Sequence, residues 1–205
     1  WKTYVGRPEA DELRSFAMNV LGGGLYETGN DAGALAVMEA DLSMKRRLGA
    51  SERNILAMQG NLASTYQRVG RLEDAVRINR DVYSGHLNLK GEEHHDTFMA
   101  ANNYALSLFT LKRFEEAKAF LRRSTPVARR VLGESDELTL KMRWNYALSL
   151  YEDPAATLDD LSEAVTTLED AGRIARRVLG GAHPTTEDID ISLRISRAAL
   201  RDREN

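Results

Sequence analysis

Apolar side chains recur along this chain at three-, four- and seven-residue separations, which place them on one face of an α-helix. Between residues 55 and 66 the apolar face consists of Ile55, Leu56, Leu62, Ala63 and Tyr66. A second face follows between Leu72 and Tyr83, after a break at Val69-Gly70-Arg71. Because glycine suits the left-handed cap that ends many helices, the pattern predicts two helices joined by a short turn.

The helical pair recurs every 42 residues. Asn61-Leu-Ala-Ser-Thr-Tyr66 has counterparts that begin at Asn103 and Asn145, and Gly49, Gly91 and Gly133 keep the same spacing. The next Leu-Gly pair, at Gly180, comes 47 residues after Gly133, so five extra residues lie between Leu150 and Ala164. Pro154 and several aspartates predict a loop at this insertion.

These marks predict one array over residues 1–205, with repeats at about 8–49, 50–91, 92–133 and 134–180 and a capping helix at 184–203. Because one hairpin cannot bury two apolar faces, neighbouring hairpins are expected to stack. The chain starts at Trp1, and Trp1–Gly6 looks like the end of a preceding helix. We therefore expect a fragment of a longer array.

Two places depart from the pattern. Gly22-Gly23-Gly24 falls inside a predicted helix, where each glycine costs about 1 kcal/mol relative to alanine. Gly33 stands where alanine is expected and Ala34 follows it, which points to a one-residue shift in register. The first hairpin is therefore expected to be thin or bent. Pro126 falls inside another predicted helix and is expected to kink it.

Composition removes several classes of protein. The 205 residues carry a net charge of −3, without the basic excess of most nucleic-acid binders, so no nucleic-acid partner is expected. The chain has no cysteine, which excludes disulfide scaffolds, thiol nucleophiles and Cys-ligated zinc. No apolar run approaches the roughly 20 residues of a membrane span. We expect an intracellular, cytoplasmic protein without membrane insertion.

The repeated residues resemble the tetratricopeptide repeat in its 42-residue form, which is typical of kinesin light chains and nephrocystin-like proteins. The similarity rests on the Asn61–Tyr66 motif, on Arg68–Ala75 and on residues 179–185, and it extends over nearly the whole chain. It implies an all-α, right-handed superhelix of helical hairpins. In such folds the first helices line a concave groove that holds a peptide or a partner helix.

By this resemblance, the asparagines in phase at Asn19, Asn61, Asn103 and Asn145 face the groove. A side-chain amide can donate to and accept from a ligand backbone, so this row suits an extended peptide. Alternatively, these asparagines hold the helices together. The same phase adds neighbours to the predicted site, which are Asn102, Trp144, Lys141, Arg68, Phe109 and Tyr151. The three aromatic residues fit either a binding patch or the core.

Other candidate chemistry is weaker. The stretch Glu92–Asp96 contains metal-binding residue types, but His94 and His183 share one position in an inter-repeat turn, so no metal site is expected. The glycine run lacks the strand and the Gly-Lys-Ser/Thr of a phosphate loop. Arginine pairs such as Arg129-Arg130 suit helix ends better than a basic binding surface.

No catalytic constellation and no cofactor motif are found, so an enzyme is not expected. The sequence predicts a protein-interaction scaffold that binds a peptide segment or a partner helix, with a protein or peptide partner. The alternatives are a structural adaptor or self-associating subunit that uses convex or end surfaces, a component of a larger assembly, and an accessory array of a multidomain protein.

Overall fold

The computed structural model describes Gly6 and residues 12–204. Residues 12–204 form helices, and the described part of the chain contains no strand. Of the helix end that was expected at Trp1–Gly6, only Gly6 belongs to the described residues. The helices are α1 Glu12–Glu27, α2 Asp31–Arg47, α3 Glu52–Arg68, α4 Leu72–Lys90, α5 His95–Thr110, α6 Phe114–Val131, α7 Glu137–Tyr151, α8 Leu158–Val178 and α9 Pro184–Glu204. The prediction of an all-α fold made of helical hairpins is confirmed.

The glycines that mark the repeat end the second helix of each hairpin. Gly49, Gly91, Gly133 and Gly180 all have φ between 68° and 94°, the left-handed conformation that glycine adopts without steric cost. Lys112 has a φ of 60° in the turn between α5 and α6, where the previous hairpin has Gly70. This turn geometry is therefore kept even where the sequence supplies a residue that adopts it less readily.

The helices form two compact units, which consist of residues up to Leu89 and from Lys90 onward. In the first unit, α2 packs against both α1 and α3. The small side chains expected at helix contacts are fully buried at Ala34 and Ala75. Gly85 lets α4 approach α3 closely, because a Cβ atom there would lie 2.5 Å from Cδ2 of Leu56.

The register of the first hairpin is shifted by one residue, as Gly33 and Ala34 suggested. Ala34 is the buried counterpart of Ala75, 41 residues later, and Gly29 likewise precedes its counterpart Gly70 by 41. The helix α1 runs unbroken through the glycine run. Gly22 is buried against α2, since a Cβ atom there would lie 3.1 Å from Cγ of Met38.

In the second unit, each helix from α5 to α9 packs against the next, and α7 also contacts α5 and α9. Large apolar side chains from all five helices are fully buried between them, which are Phe98, Leu108, Leu121, Leu140, Leu168 and Ile189. The helix α6 continues through Pro126, which supplies no N–H to the carbonyl of Arg122. The terminal helix α9 covers parts of α7 and α8.

The loop between α7 and α8 contains the stretch to which the insertion was assigned, including Pro154. Thr157 then starts α8 with a capping box, in which its hydroxyl accepts from the N–H of Asp160 and the Asp160 carboxylate accepts from the N–H of Thr157. The two helices therefore keep their packing despite the longer connection. None of the helices, as far as the structure describes them, combines the length and apolar character needed to cross a membrane.

Candidate functional site

A cleft of about 390 Å³ lies in the second unit, between the N-terminal halves of α5 and α7. These are the first helices of two successive hairpins, the helices on which the sequence placed the binding groove. The side chains that line the cleft are His95, Met99, Asn102, Asn103, Asp136, Glu137, Leu138 and Lys141. Three residues of the predicted site, Asn102, Asn103 and Lys141, are thereby brought together.

The two asparagines of α5 differ in their contacts. Asn103 is exposed and forms no hydrogen bond with the described residues. The Asn102 side chain is nine-tenths buried, and its Oδ1 accepts a hydrogen bond of 2.8 Å from Nδ2 of Asn145. No described residue hydrogen-bonds Nδ2 of Asn102. The cleft therefore contains unused amide groups, one of them held in place by Asn145.

Asn145 itself is buried, and its Oδ1 has no hydrogen-bond partner among the described residues. Its amide links α7 to α5 and is not displayed on the surface. At this position, the structure favours the alternative interpretation of the asparagine row, in which the side chain holds neighbouring helices together.

Acidic and basic groups alternate at the α7 end of the cleft. Lys141 Nζ lies 2.7 Å from Glu137 Oε1, and this hydrogen bond lowers the pKa of Glu137. The Thr185 hydroxyl donates to the same oxygen at 3.3 Å. Asp136 caps α7, since its Oδ1 accepts from the N–H groups of Leu138 and Thr139 at 2.9 and 3.1 Å. No described cation forms an ion pair with Asp136.

The aromatic residues that were predicted as binding residues on α7 are in contact with helix α9. Trp144 is half-buried, and its Nε1 donates to Oγ of Ser192 at 2.8 Å. Tyr151 is buried; burial raises the pKa of its hydroxyl, and a hydrogen bond with Ser192 partly opposes that rise. Both residues thus hold α9 against α7, in agreement with the alternative that they belong to the core.

Phe109 lies apart from these two aromatic residues, near the end of α5. Its ring packs edge-on against Phe114, with centroids 5.5 Å apart, across the turn between α5 and α6. The predicted patch of Trp144, Phe109 and Tyr151 is therefore divided between two helix contacts, at the α7–α9 and α5–α6 junctions.

In the first unit, Asn61 is exposed and lines a smaller cleft of about 250 Å³ together with Gly23, Tyr26, Glu27, Met38 and Ser64. The guanidinium of Arg68 is already engaged. It donates to the carbonyl of Tyr26 at 2.8 Å, lies 4.0 Å from the centre of the Tyr26 ring and pairs with Asp31 at 2.9 Å. Arg68 therefore joins α3 to α1 and α2 and does not stand free for a ligand.

The one-residue shift of the first hairpin also changes the asparagine row. With a spacing of 41 residues, Val20 and not Asn19 is the counterpart of Asn61. Asn19 is exposed one position earlier on α1. The side chains of Leu13, Phe16 and Val20, which are 49%, 68% and 57% exposed, form an apolar face on this helix. The row of asparagines thus has no member on α1 at the position that corresponds to Asn61, because Val20 stands there.

The sequence reasoning missed Met99, His95 and Glu137, which line the cleft beside the predicted residues. Met99 and His95 lie four and eight residues before Asn103, and Glu137 lies eight residues before Asn145. Each of them therefore shares a helix face with the asparagine that follows it. A search one and two helical turns upstream of the asparagine row would have found them.

The histidines of the inter-repeat turns cap helices. His94 Nδ1 accepts from the N–H of Asp96 at 3.1 Å, and His183 Nδ1 accepts from the N–H of Thr185 at 3.3 Å. Within residues 12–204, no three His, Asp or Glu side chains are grouped as metal ligands. The arginine pairs contribute to ion pairs, as in Arg129 with Glu134 and Arg130 with Glu93.

Comparison with known proteins supports the repeat assignment. Residues 54–130 match the model of the tetratricopeptide repeat family. A search of curated proteins gives no match. The nearly identical TPR-like repeats of a kinesin light chain from Podosopora anserina superpose with a TM-score of 0.76 at 20% identity, over 95% of this chain and 90% of that one. BtubC (BKLC) from P. vanneervenii gives 0.60 at 15% identity, over 95% and 84%.

At these identities, the solved structures establish a shared fold. Tetratricopeptide repeats generally serve protein–protein interaction and are generally non-catalytic scaffolds. Residues 54–130 thus match tetratricopeptide repeats, and the chain shares the fold of the kinesin-light-chain repeats.

Proposed function

We propose that this protein binds an extended segment of a partner protein in the cleft between α5 and α7. The observation that carries the proposal is the meeting of Asn102, Asn103 and Lys141 in one cleft of about 390 Å³. A side-chain amide offers two donors and one acceptor, and an extended peptide presents unpaired N–H and C=O groups. Asn103 is exposed, and Asn102 retains free donors, so both amides suit such a backbone.

Apolar contact is available beside the amides. Met99 is 47% exposed on α5, and Leu138 lines the opposite wall on α7. A flexible methionine adapts to side chains of different shapes, so it suits a site for an extended segment. Burial of a ligand side chain between these two residues would supply affinity, and the amides would orient the ligand backbone.

The test is selection of a random-peptide phage library on the purified chain, followed by fluorescence polarisation with labelled copies of the enriched peptides. Asn103→Ala is expected to weaken binding about fivefold, as for the loss of one or two neutral hydrogen bonds. The double variant Met99→Ala with Asn103→Ala should lose tenfold or more, because it also removes apolar contact.

Asn88→Ala on α4 is the matched control, since Asn88 is likewise an exposed helical asparagine. Circular dichroism checks that each variant keeps its helix content. If every enriched peptide binds the Met99/Asn103 double variant as tightly as the unaltered chain, the cleft is not the binding site and the proposal fails.

A further inference from the structure

We infer that the segment held in the α5–α7 cleft carries a lysine or arginine side chain, which pairs with Asp136. This inference rests on the proposed function and adds the chemistry of the ligand.

The charge of the cleft comes from a few groups. Asp136 and Glu137 contribute two negative charges and Lys141 one positive charge, with His95 counted as neutral. Because Lys141 is bound to Glu137 at 2.7 Å, its charge is already offset within the protein. Asp136 pairs with no cation within residues 12–204, so its carboxylate is the uncompensated charge of the cleft.

The N-terminus of α7 reduces this charge but does not reverse it. A helix N-terminus is equivalent to roughly half a positive charge, and Asp136 carries a full negative one. Its Oδ1 accepts two backbone N–H groups, whereas no described donor bonds Oδ2. That oxygen is therefore the atom to which a cationic ligand side chain would donate.

A second, independent observation points to a ligand. The Asn102 side chain is nine-tenths buried and lines the same cleft, and Asn145 holds its Oδ1 at 2.8 Å. Its Nδ2 forms no hydrogen bond with any residue that the structure describes, so the protein presents an oriented donor where a peptide carbonyl can accept. Met99 and Leu138 line the space beside it, where the methylene groups of a lysine or arginine can pack.

The experiment uses the same random-peptide library and compares two charge-neutralising variants. Asp136→Asn removes the charge but keeps an oxygen that can cap α7, so helix content should be unchanged. Asp159→Asn on α8 is the control, because Asp159 is an exposed first-turn carboxylate without a hydrogen bond or ion pair in the described residues.

We expect the enriched peptides to contain lysine or arginine, and replacing that residue by glutamine in the peptide to weaken binding. Asp136→Asn should weaken the same peptides about threefold, and Asp159→Asn should leave them unchanged. The effect of Asp136→Asn should shrink when the salt concentration rises from about 0.05 M to about 0.5 M, because salt screens exposed pairs.

The two proposals fail separately. If the enriched peptides lose affinity with the Met99/Asn103 double variant but contain no basic residue, or bind Asp136→Asn and Asp159→Asn equally well, the basic-ligand inference is wrong and the cleft remains the binding site. If the double variant changes nothing, both proposals fall. Enrichment of aspartate and glutamate that depends on Lys141 would likewise overturn the inference.

Discussion

Asn145 on α7 donates a buried hydrogen bond of 2.8 Å to Asn102 on α5. One repeat later, Ser192 on α9 occupies the position of Asn145, and it accepts a bond of the same length from Trp144, which occupies the position of Asn102. Two different pairs of side chains thus join successive first helices at the same point. This position of the repeat serves helix packing in the second unit.

The asparagine row is expected to divide into a structural and an exposed class. Asn145→Ala removes a buried hydrogen bond and should lower the free energy of unfolding by about 1 kcal/mol. Asn61→Ala, at the same repeat position but exposed, should be neutral or raise it by a few tenths of a kcal/mol, because alanine is the better helix former. Urea unfolding followed by circular dichroism measures both, and equal effects would contradict the division.

Ser192→Ala should loosen α9 by removing the acceptor of Trp144 and the partner of Tyr151. We expect a loss of about 1 kcal/mol in the free energy of unfolding. The measurement uses Trp144 fluorescence during urea unfolding, in a Trp1→Phe background because the chain has two tryptophans. Ser162→Ala, at an exposed serine near the start of α8, is the control and should be neutral or slightly stabilising, because alanine is the better helix former. A similar loss there would show that the effect does not come from the α7–α9 contact.

Glycine substitutions in the first unit should have opposite signs. A Cβ atom at Gly85 would lie 2.5 Å from Leu56, which is buried in the core, so Gly85→Ala should cost about 1–2 kcal/mol through overpacking. A Cβ atom at Gly23 meets nothing within 4 Å, so Gly23→Ala should stabilise α1 by about 0.5–1 kcal/mol. Thermal unfolding distinguishes them, and a stabilised Gly85→Ala variant would refute the close α3–α4 approach.

Acid should destabilise the second unit partly through Asp170. The hydrogen bond from buried Arg143, at 2.5 Å, lowers the pKa of Asp170, and burial opposes the shift. Since the folded pKa lies below the unfolded value of about 3.9, the stabilisation is complete above that pH and is lost as the pH falls through the folded pKa. Urea midpoints between about pH 5 and pH 2 should therefore fall less steeply for Asp170→Asn than for the unaltered chain. Asp159→Asn should match the slope of the unaltered chain, and an unchanged slope for Asp170→Asn would exclude this contribution.

Much of the helical organisation could be derived from the sequence because it depends on local and periodic properties. Apolar spacing placed the hairpins, and the recurring glycines marked helix ends that have positive φ in the structure, as at Gly133. The pair Gly33-Ala34 even indicated the shift of the first hairpin. Such features concern a residue and its near neighbours along the chain, so they can be read without knowing what packs against them.

The candidate site could be predicted only in part. Asn103 and Lys141, which were predicted from their phase, line the same cleft, but that phase could not separate Asn103, which is exposed, from Asn145, which is buried. The difference arises because Asn145 meets Asn102 of the preceding first helix, 43 residues away in sequence. A repeat pattern assigns equal roles to equivalent positions, whereas the neighbours of each position differ.

The amino-acid sequence alone thus determined the helical hairpins, their 42-residue period and the helix faces that carry amides, because helix geometry fixes which residues share a face. Only the tertiary structure decided which of those faces remain open. The helix α9 covers Trp144 and Tyr151, Asp31 and Tyr26 engage Arg68, and the α5–α7 cleft remains exposed. Exposure depends on contacts between residues far apart in the chain, and periodicity along the chain does not contain that information.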